Sequence, residues 1–496
     1  IIDGLTLRGT LGISTQSNTS DLFIPPSHSA FLSDTYAKPE NVFRKGKYTY
    51  GTGESNNIMG NITLNYSKTF NEKHNLTAGI DFSMENAKSH EYTFVAEGFV
   101  NDDLGFLPSG LQYQQEGKPS GSESHTRAVG FTANAVYTYD NRYFADLSYR
   151  IDGSSVFGRD NQFAPFWSAG IGWNVHNEKF LKDSQFLIRM RLRASTGETG
   201  SREFSAYQAL STFSYYMDER YITWNGAGLM GLGNDKLKWQ TTMQTNVGLE
   251  FGIFGGRLTG TVDYYLKNTS DLLSSMDLPR ANGFTSYIAT VGSVRNTGFE
   301  ASLTGYLIRN TQKELFWSVT GKIAHNKNEI TKLSEAIKAQ TAIAIANNNY
   351  ASLLFEGHSL NSIYAVPSLG IDPSTGREIF LDKDGNFTST WNANARQLFG
   401  VSDPKYRGNI STYIAWRNLS LNLSFAYHWG GQQYNSTLLN KVEVTTTAME
   451  NNVDNRVYTD RWLQPGDVRF FKSFDSSATR MSSRFVWTIT YSSCRA

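Results

Sequence analysis

In at least five stretches of this chain every second residue is apolar, and the charges fall on the alternate positions. In one stretch the apolar residues Leu76, Ala78, Ile80, Phe82 and Met84 interleave with Thr77, Gly79, Asp81, Ser83 and Glu85. The same split recurs in residues 143–151, 188–194, 245–251 and 258–266. A period of two residues is that of a β-strand, whose successive side chains point to opposite faces of its sheet. So many strands with one charge-free face indicate a sheet with lipid on one side and water on the other.

The length of these runs separates a membrane sheet from a soluble β-protein with one buried face. The runs last about 10 to 14 residues, whereas strands in soluble proteins average about 5 to 6. A tilted strand needs about 9 to 11 residues to cross a hydrocarbon layer of about 30 Å. Aromatic residues such as Tyr139, Tyr143, Phe251 and Trp416 border short turns, as in an aromatic girdle. These features favour the membrane sheet.

Composition excludes several alternatives. The net charge is +1 at pH 7, so no electrostatic argument favours a nucleic-acid partner. The mean hydropathy is −0.40, and no run of about 18 apolar residues is present, which excludes a membrane helix. A closed β-barrel is the other structure that satisfies its backbone within lipid. The single cysteine, Cys494, is compatible with an oxidising compartment and requires no disulfide.

The connections predict an up-and-down topology. Short turns at Asn71–His74 and Asp140–Arg142 alternate with long polar loops at 88–125 and 197–237. This asymmetry is typical of outer-membrane barrels, and the pattern predicts about a dozen strands. Lys68 and Arg295 break the apolar parity, but both fall at predicted strand ends, where a charge costs only about 0–1 kcal/mol. The predicted fold class is therefore all-β, a transmembrane antiparallel β-barrel.

A short signature points to a family. Residues 149–158 read YRIDGSSVFG, and the positions of interest are Arg150, Asp152, Gly153, Ser154, Ser155, Phe157 and Gly158. They resemble the RxDGSSxFG signature of SusC/RagA-type TonB-dependent transporters. Further family-like strings follow in the family's order, at residues 167–173, 178–181, 191–197, 237–242, 262–265, 296–300, 370–373 and 460–462.

The resemblance implies a barrel of about 22 strands around an N-terminal plug, in the outer membrane of a Gram-negative bacterium. It implies energy from the TonB complex and a SusD-like surface lipoprotein that covers the long loops. It implies import of oligosaccharides or peptides.

The resemblance also sets expectations for the two ends. Residues 1–486 are expected to be part of a TonB-dependent receptor barrel wall, with the plug and early strands absent. Such a piece alone should neither close nor transport. Residues 487–496 depart from the family pattern, and we interpret them as an out-of-frame tail that includes Cys494.

The charges on the polar parity are candidate interior residues. They are Asp81, Asp146, Arg189, Arg191, Arg193, Glu250 and Asp263. The three arginines would form a ladder about 13 Å long, at about 3.3 Å per residue. We expect them to pair with interior carboxylates such as Asp146 or Glu250, or with the plug. The alternative is contact with an anionic ligand.

The long loop at 197–237 carries a group of aromatic residues. They are Tyr215, Tyr216, Tyr221 and Trp224. Exposed rings can stack on sugars or hold peptide side chains, and loops often carry binding residues. The same rings can instead pack against the lid protein.

No pattern predicts catalysis. The eight histidines are scattered, and neither HExxH nor GxSxG occurs. Residues 382–386 (DKDGN) suggest a calcium loop, but the glycine is misplaced for one and a hairpin tip is the better interpretation. We therefore expect no enzyme, metal or cofactor. A structural or adhesive surface barrel remains the alternative to a transporter, and a plug and TonB box upstream in the gene would favour the transporter.

Overall fold

The computed structural model describes residues 2–114, 117–181, 184–202, 204–277, 284, 286–346, 353–443, 454–474 and 481–495. Its strands, in chain order, are β1 (Leu5–Ile24), β2 (Lys47–Phe70), β3 (His74–Glu97), β4 (Gln112–Tyr113), β5 (Ser120–Tyr139), β6 (Tyr143–Ser154), β7 (Phe163–Asn174), β8 (Leu187–Ser201), β9 (Thr212–Tyr221), β10 (Trp224–Gly231), β11 (Gln240–Ile253), β12 (Leu258–Asp277), β13 (Ser286–Asn310), β14 (Leu315–Leu333), β15 (Ser362–Ala365), β16 (Ser368–Ile371), β17 (Glu378–Leu381), β18 (Phe387–Thr388), β19 (Gln397–Val401), β20 (Tyr406–Trp416), β21 (Leu419–Tyr434) and β22 (Val486–Arg495).

Helices are few and short. The α-helices are α1 (Asp34–Ala37), α2 (Glu335–Ala346), α3 (Ser436–Leu438) and α4 (Arg456–Thr459), and a π-helix spans Leu439–Glu443. Short 3-10 helices span Ser29–Phe31, Val42–Arg44, Leu107–Ser109, Arg159–Asn161, Val175–Asn177, Ala393–Ala395 and Ser483–Phe485. Within the described residues, no helix is long and apolar enough to cross a membrane.

One large antiparallel sheet contains the long strands. Its order is β1-β2-β3-β5-β6-β7-β8-β11-β12-β13-β14-β20-β21-β22, and β4 pairs with β3 beside this path. Neighbours in the sheet are neighbours along the chain, apart from strands inserted in long connections: the β9–β10 hairpin, the β15–β19 pair and the three-stranded β16–β17–β18 sheet. This up-and-down arrangement confirms the predicted fold class.

Short turns and long connections lie at opposite ends of the sheet. The short turns are residues 71–73, 140–142, 254–257, 311–314 and 417–418; the longest connections are 25–46, 98–119, 202–239, 334–405 and 435–485. Asn71 and Asp140 have positive φ angles of 49° and 50°, a conformation that Asn and Asp tolerate well. In outer-membrane barrels the short turns are periplasmic and the long connections are extracellular.

Several strands extend further than the sequence predicts. β3 continues to Glu97 and β5 begins at Ser120, so much of the loop predicted at 88–125 is strand. Beyond Met84 the apolar parity becomes polar, with Asn86 and Lys88. Alternation therefore disappears although the backbone pairing continues. The loop prediction was wrong there because a strand that leaves the lipid no longer needs an apolar face.

The strand register separates two chemically different faces. On one face Ile80, Leu147 and Val262 are 48%, 59% and 43% exposed, as lipid-facing side chains are in an isolated chain. On the other face, side chains two strands apart meet. Arg193 of β8 reaches Asp263 of β12 at 2.6 Å, and the Tyr265 hydroxyl of β12 donates to Asn326 of β14 at 3.1 Å. Side chains converge in this way on the concave side of a curved sheet, so the polar face is the inner one.

An aromatic rim marks the short-turn end on the outer face. The rings of Tyr143 and Trp173 lie 6.4 Å apart and nearly parallel. Glu178 accepts hydrogen bonds from the Tyr143 hydroxyl at 2.6 Å and from Trp173 Nε1 at 3.0 Å. This carboxylate fixes two amphipathic rings at one height, as expected at the edge of a hydrocarbon layer.

The structure bears on two sequence-based expectations, the position of Arg295 and the nature of residues 487–496. Arg295 lies within β13, not at a strand end as the sequence suggested, because β13 continues to Ser286. Val486–Arg495 forms β22, which pairs antiparallel with β21. The boundary at residue 486 and the out-of-frame interpretation of residues 487–496 stay predictions.

The two faces predict opposite responses to a charge. Leu147→Lys puts an ammonium group in the middle of the apolar face and should cost about 2–4 kcal/mol of folding free energy. Ser148→Lys, one residue away on the polar face, should cost less than about 1 kcal/mol, since surface changes are usually small. Urea unfolding in lipid bilayers measures both. Equal losses would contradict the assignment of the faces.

Candidate functional site

Ion pairs connect the inner faces of β8, β11 and β12. Arg189 Nη2 lies 2.6 Å from Glu250 Oε2, and Arg193 Nη1 lies 3.3 Å from Glu250 Oε1. Arg193 Nη2 lies 2.6 Å from Asp263 Oδ1. Two arginines of the predicted ladder therefore have carboxylate partners, one of which is Glu250, as the pairing interpretation expected.

Glycine at position 248 allows one of these pairs to cross a strand. Gly248 of β11 lies in register with both Arg193 and Asp263. A Cβ atom at Gly248 would lie 2.2 Å from Asp263 Oδ1 and 2.5 Å from Arg193 Nε. Only a residue without a side chain leaves room for the ion pair to pass over the strand.

Arg191, the middle arginine, has a different environment. Its guanidinium lies 4.1 Å from the centre of the Phe144 ring, which crosses β7 above Gly172. Its Nε is buried and has no hydrogen-bond partner among the described residues. No ion pair of Arg191 occurs in that part of the chain. The ring attracts the cation, but it supplies no negative charge that would neutralise it.

The remaining inner carboxylates lie on neighbouring strands. Asp81 accepts hydrogen bonds from Asn61 and from the Thr63 hydroxyl, the latter at 2.7 Å. Asp146 packs over Gly170, where a Cβ atom would lie 2.4 Å from Asp146 Oδ1. Asp146 is not among the carboxylates paired with the arginine ladder in the described ion pairs.

The signature residues build a turn and anchor a long loop. Arg150 Nε donates to Asp152 Oδ2 at 2.6 Å on the inner face. Next to them the ring of Phe163 packs over Gly153. A Cβ atom at Gly153 would lie 2.4 Å from a carbon of that ring. Ser154 is buried, and its hydroxyl accepts a hydrogen bond from the backbone N–H of Val156 at 3.4 Å.

The second half of the signature contacts the end of the connection 202–239. Ser155 Oγ accepts a hydrogen bond from the backbone N–H of Arg127 at 2.9 Å. Phe157 is buried and stacks on Trp239, with ring centres 4.3 Å apart. The backbone N–H of Gly158 donates to Leu237 O at 3.1 Å, and a Cβ there would lie 1.8 Å from Asp235 O. Phe157 and Gly158 thus fasten the end of this connection to the wall.

The loop aromatics lie on the β9–β10 hairpin. Tyr215 and Trp224 are 72% and 76% exposed, and Tyr216 lies over Gly228. The backbone of Tyr221 pairs with Trp224, but its side chain lies outside the described residues. At the start of the connection, Arg202 forms an ion pair with Glu85 of β3 at 2.6 Å. Because three strands separate β3 from β8, this contact draws the start of the connection across the inner face.

A buried charge cluster was missed by sequence reasoning. Arg484 contacts Glu378 at 3.1 Å and Glu443 at 2.7 Å, and all three side chains are at most 5% exposed. Arg461 is buried nearby and donates to the carbonyls of Val457 at 3.0 Å and Lys472 at 2.8 Å. The cluster joins the connections 334–405 and 435–485. The family-like string Asp460-Arg461-Trp462 was its only signal, because the other partners are distant in sequence.

Burial and ion pairing oppose each other at Glu378. Burial raises the pKa of this carboxyl group, but the hydrogen bonds and charge of Arg484 and the Ser482 hydroxyl outweigh burial, so the pKa lies below its ordinary 4.5. Because its pKa is lower in the folded protein, ionised Glu378 stabilises the folded loops at pH values above its ordinary pKa. This stabilisation is lost as the pH falls through the pKa of the folded protein.

The described residues contain no group of three His, Cys, Asp or Glu side chains that could hold a metal ion. Asp382, in the calcium-like string, instead accepts hydrogen bonds from the backbone of Asp384 and Asn386, both at 2.8 Å. The hairpin tip predicted there is confirmed.

The strand-crossing ion pair predicts a glycine-specific effect. Gly248→Ala should destabilise the protein by about 1–3 kcal/mol because its Cβ displaces the Arg193–Asp263 pair. Gly321→Ala is the control, since a Cβ at Gly321 meets nothing within 4 Å. Denaturant unfolding of both variants measures the difference. Equal stability of the two variants would contradict the crossing arrangement.

The buried cluster predicts an acid-sensitive loop unit. The backbone N–H of Val366 donates to Met481 O, and the backbone N–H of Ser483 donates to Val366 O, across the unit. As the pH falls below 4.5, protonation of Glu378 should speed hydrogen exchange at these two N–H groups, after correction for intrinsic rates. In the Glu378→Gln variant the same N–H groups should exchange faster at pH 6, and their exchange rates should depend less on pH. The control Asp384→Asn, at the exposed hairpin tip, should exchange like the unsubstituted protein. If the exchange rates of the Glu378→Gln variant still rose steeply as the pH fell, this role of Glu378 would be contradicted.

Comparison with known proteins places the chain. The family described as "TonB dependent receptor-like, beta-barrel" matches residues 3–463. TonB-dependent receptor P3 of Formosa agariphila is 29% identical over 460 residues, which are 88% of this chain and 44% of that protein. TonB-dependent receptor SusC of Bacteroides thetaiotaomicron is 29% identical over 343 residues, 65% of this chain and 33% of that protein. The chain spans less than half the length of these two relatives.

A solved structure shares the fold. The structure described as the RagAB peptide transporter matches 99% of this chain and 53% of that chain, with a TM-score of 0.82 and 24% identity. The family match covers most of the chain and agrees with its large, two-faced antiparallel sheet. The chain therefore belongs to the TonB-dependent receptors, which are β-barrel proteins of the outer membrane of Gram-negative bacteria.

Proposed function

We propose that the protein containing this chain is a nutrient importer of the SusC/RagA type and has no enzymatic activity. It takes up oligosaccharide or peptide across the outer membrane, with energy from the TonB complex and with a SusD-like surface lipoprotein over its long loops. The observation that carries the proposal is the barrel-family match over residues 3–463.

The inner face supports passage of a hydrated solute. A transported sugar or peptide needs a surface that exchanges hydrogen bonds with it, and the concave face supplies charged and polar groups. Most of the ladder is neutralised within the wall by Glu250 and Asp263. Arg191 is then the ladder residue available to an anionic group of the solute, because none of the described ion pairs gives it a carboxylate partner.

The β9–β10 hairpin is the proposed outer contact. Tyr215 and Trp224 are exposed on it, and such rings can stack on sugar faces, cover peptide side chains or pack on the lipoprotein. The name SusC and the description of RagAB as a peptide transporter belong to those relatives. The proposal therefore includes both oligosaccharides and peptides as possible substrate classes.

Uptake by intact cells tests whether the protein is an energy-dependent importer. Cells that lack the gene should lose uptake of one labelled class, oligosaccharide or peptide, and the full-length gene should restore it. A protonophore that removes the inner-membrane potential should abolish uptake and leave surface binding unchanged, because import draws energy while adhesion does not. Surface binding without energy-dependent uptake would contradict the proposal and favour the adhesive alternative.

The double substitution Tyr215→Ala and Trp224→Ala tests the hairpin. It should weaken solute binding or lipoprotein retention at least about tenfold, as loss of two large contact residues commonly does. Phe387→Ala is the matched control, since Phe387 is an exposed ring on the separate β17–β18 hairpin. Equal effects of the two variants would contradict the role of β9–β10.

A further inference from the structure

A row of aromatic rings crosses four strands on the outer face. Phe299, His325, Tyr406 and Trp429 lie opposite one another in the register of β13, β14, β20 and β21. The ring centres of successive members are 5.7, 5.0 and 5.8 Å apart. Rings in this arrangement are typical of the boundary between hydrocarbon and headgroups.

The length of the apolar face below this row fits one lipid layer. On β14 the outer face begins at Leu315, next to the short turn, and the stretch from Leu315 to His325 has 11 residues. On β20 the stretch Tyr406–Trp416 has 11 residues, with an aromatic residue at each end. A tilted strand needs about 9 to 11 residues to cross the hydrocarbon. The ring row therefore marks the boundary at the long-loop end, which faces the outer leaflet.

Two cations follow directly beyond the row. Lys327 is two residues beyond His325, and Arg295 is four residues beyond Phe299, both on the outer parity. Arg295 Nε donates to Asn268 Oδ1 at 2.9 Å, which holds the guanidinium along the outer surface of the wall. Lys327 lies 2.8 Å from Glu329, the carboxylate opposite Arg295 in the register. The group formed by Arg295, Lys327 and Glu329 thus carries one surplus positive charge.

We propose that Arg295 and Lys327 bind the phosphate group of an outer-leaflet lipid whose acyl chains lie against the ring row. A guanidinium presents paired N–H donors that match phosphate oxygens, and an ammonium adds a point charge. A transported solute is excluded as the ligand because these side chains lie on the face opposite the arginine ladder. The site is independent of what the barrel imports.

Lipid binding to the full-length protein tests this site. The protein is purified in detergent and titrated with lipid A that carries two phosphates, and bound lipid is counted by native mass spectrometry. The double variant Arg295→Gln and Lys327→Gln should bind about 25-fold more weakly, at about fivefold for each cation lost near a membrane surface. Dephosphorylated lipid A should bind the unsubstituted protein and the variant equally.

Matched controls separate the site from general charge and from misfolding. Arg309→Gln with Lys313→Gln removes the same charge from the same hairpin at its short-turn end and should leave lipid A affinity unchanged. Arg295→Lys with Lys327→Arg should keep affinity within about threefold, since both charges remain. The proposal is overturned if both Gln pairs lose affinity equally, if phosphorylated and dephosphorylated lipid A bind equally, or if the Arg295–Lys327 Gln pair binds like the unsubstituted protein.

Discussion

The whole structure depends on backbone hydrogen bonding between antiparallel strands in a medium that offers no other partner. Within hydrocarbon each strand must pair with its neighbours, and such pairing fixes which side chains share a face. A slip of one residue would exchange Leu147 with Ser148 and turn a whole strand inside out. The register from β1 to β22 therefore decides at once where lipid, water and ion pairs lie.

On the concave face the register also creates crowding, which glycine relieves. Arg193 and Asp263 meet above Gly248, and the Phe144 ring crosses above Gly172 to reach Arg191. In each case long side chains on alternate strands make a contact that an intervening Cβ would block. Glycines in this wall accordingly do more than loosen the backbone. They let a curved sheet connect its inner charges into a network and bring Arg191 against the Phe144 ring.

Beyond the lipid the same strands carry a different kind of structure. The signature around Asp152 and Phe157 folds against Trp239 and fastens one long connection to the wall, and the cluster around Arg484 joins two others. Buried charges of this kind contribute little net stability compared with apolar packing, but removal of one partner is costly because it leaves an unpaired buried charge.

The sequence by itself determined the fold class, the two faces and the outer-membrane family, because alternation at Leu76–Glu85 and the string at residues 149–158 are local patterns. It also indicated Glu250 as a partner of the arginine ladder. Only the tertiary structure decided that Asp263 is the second partner, that β3 and β5 continue past the lipid, that Arg295 lies above a ring row, and that Glu378 pairs with Arg484. The reason is physical: alternation reports the solvent on each face of one strand. Contacts between strands, or between loops more than 100 residues apart such as that of Glu378 with Arg484, depend on register and curvature.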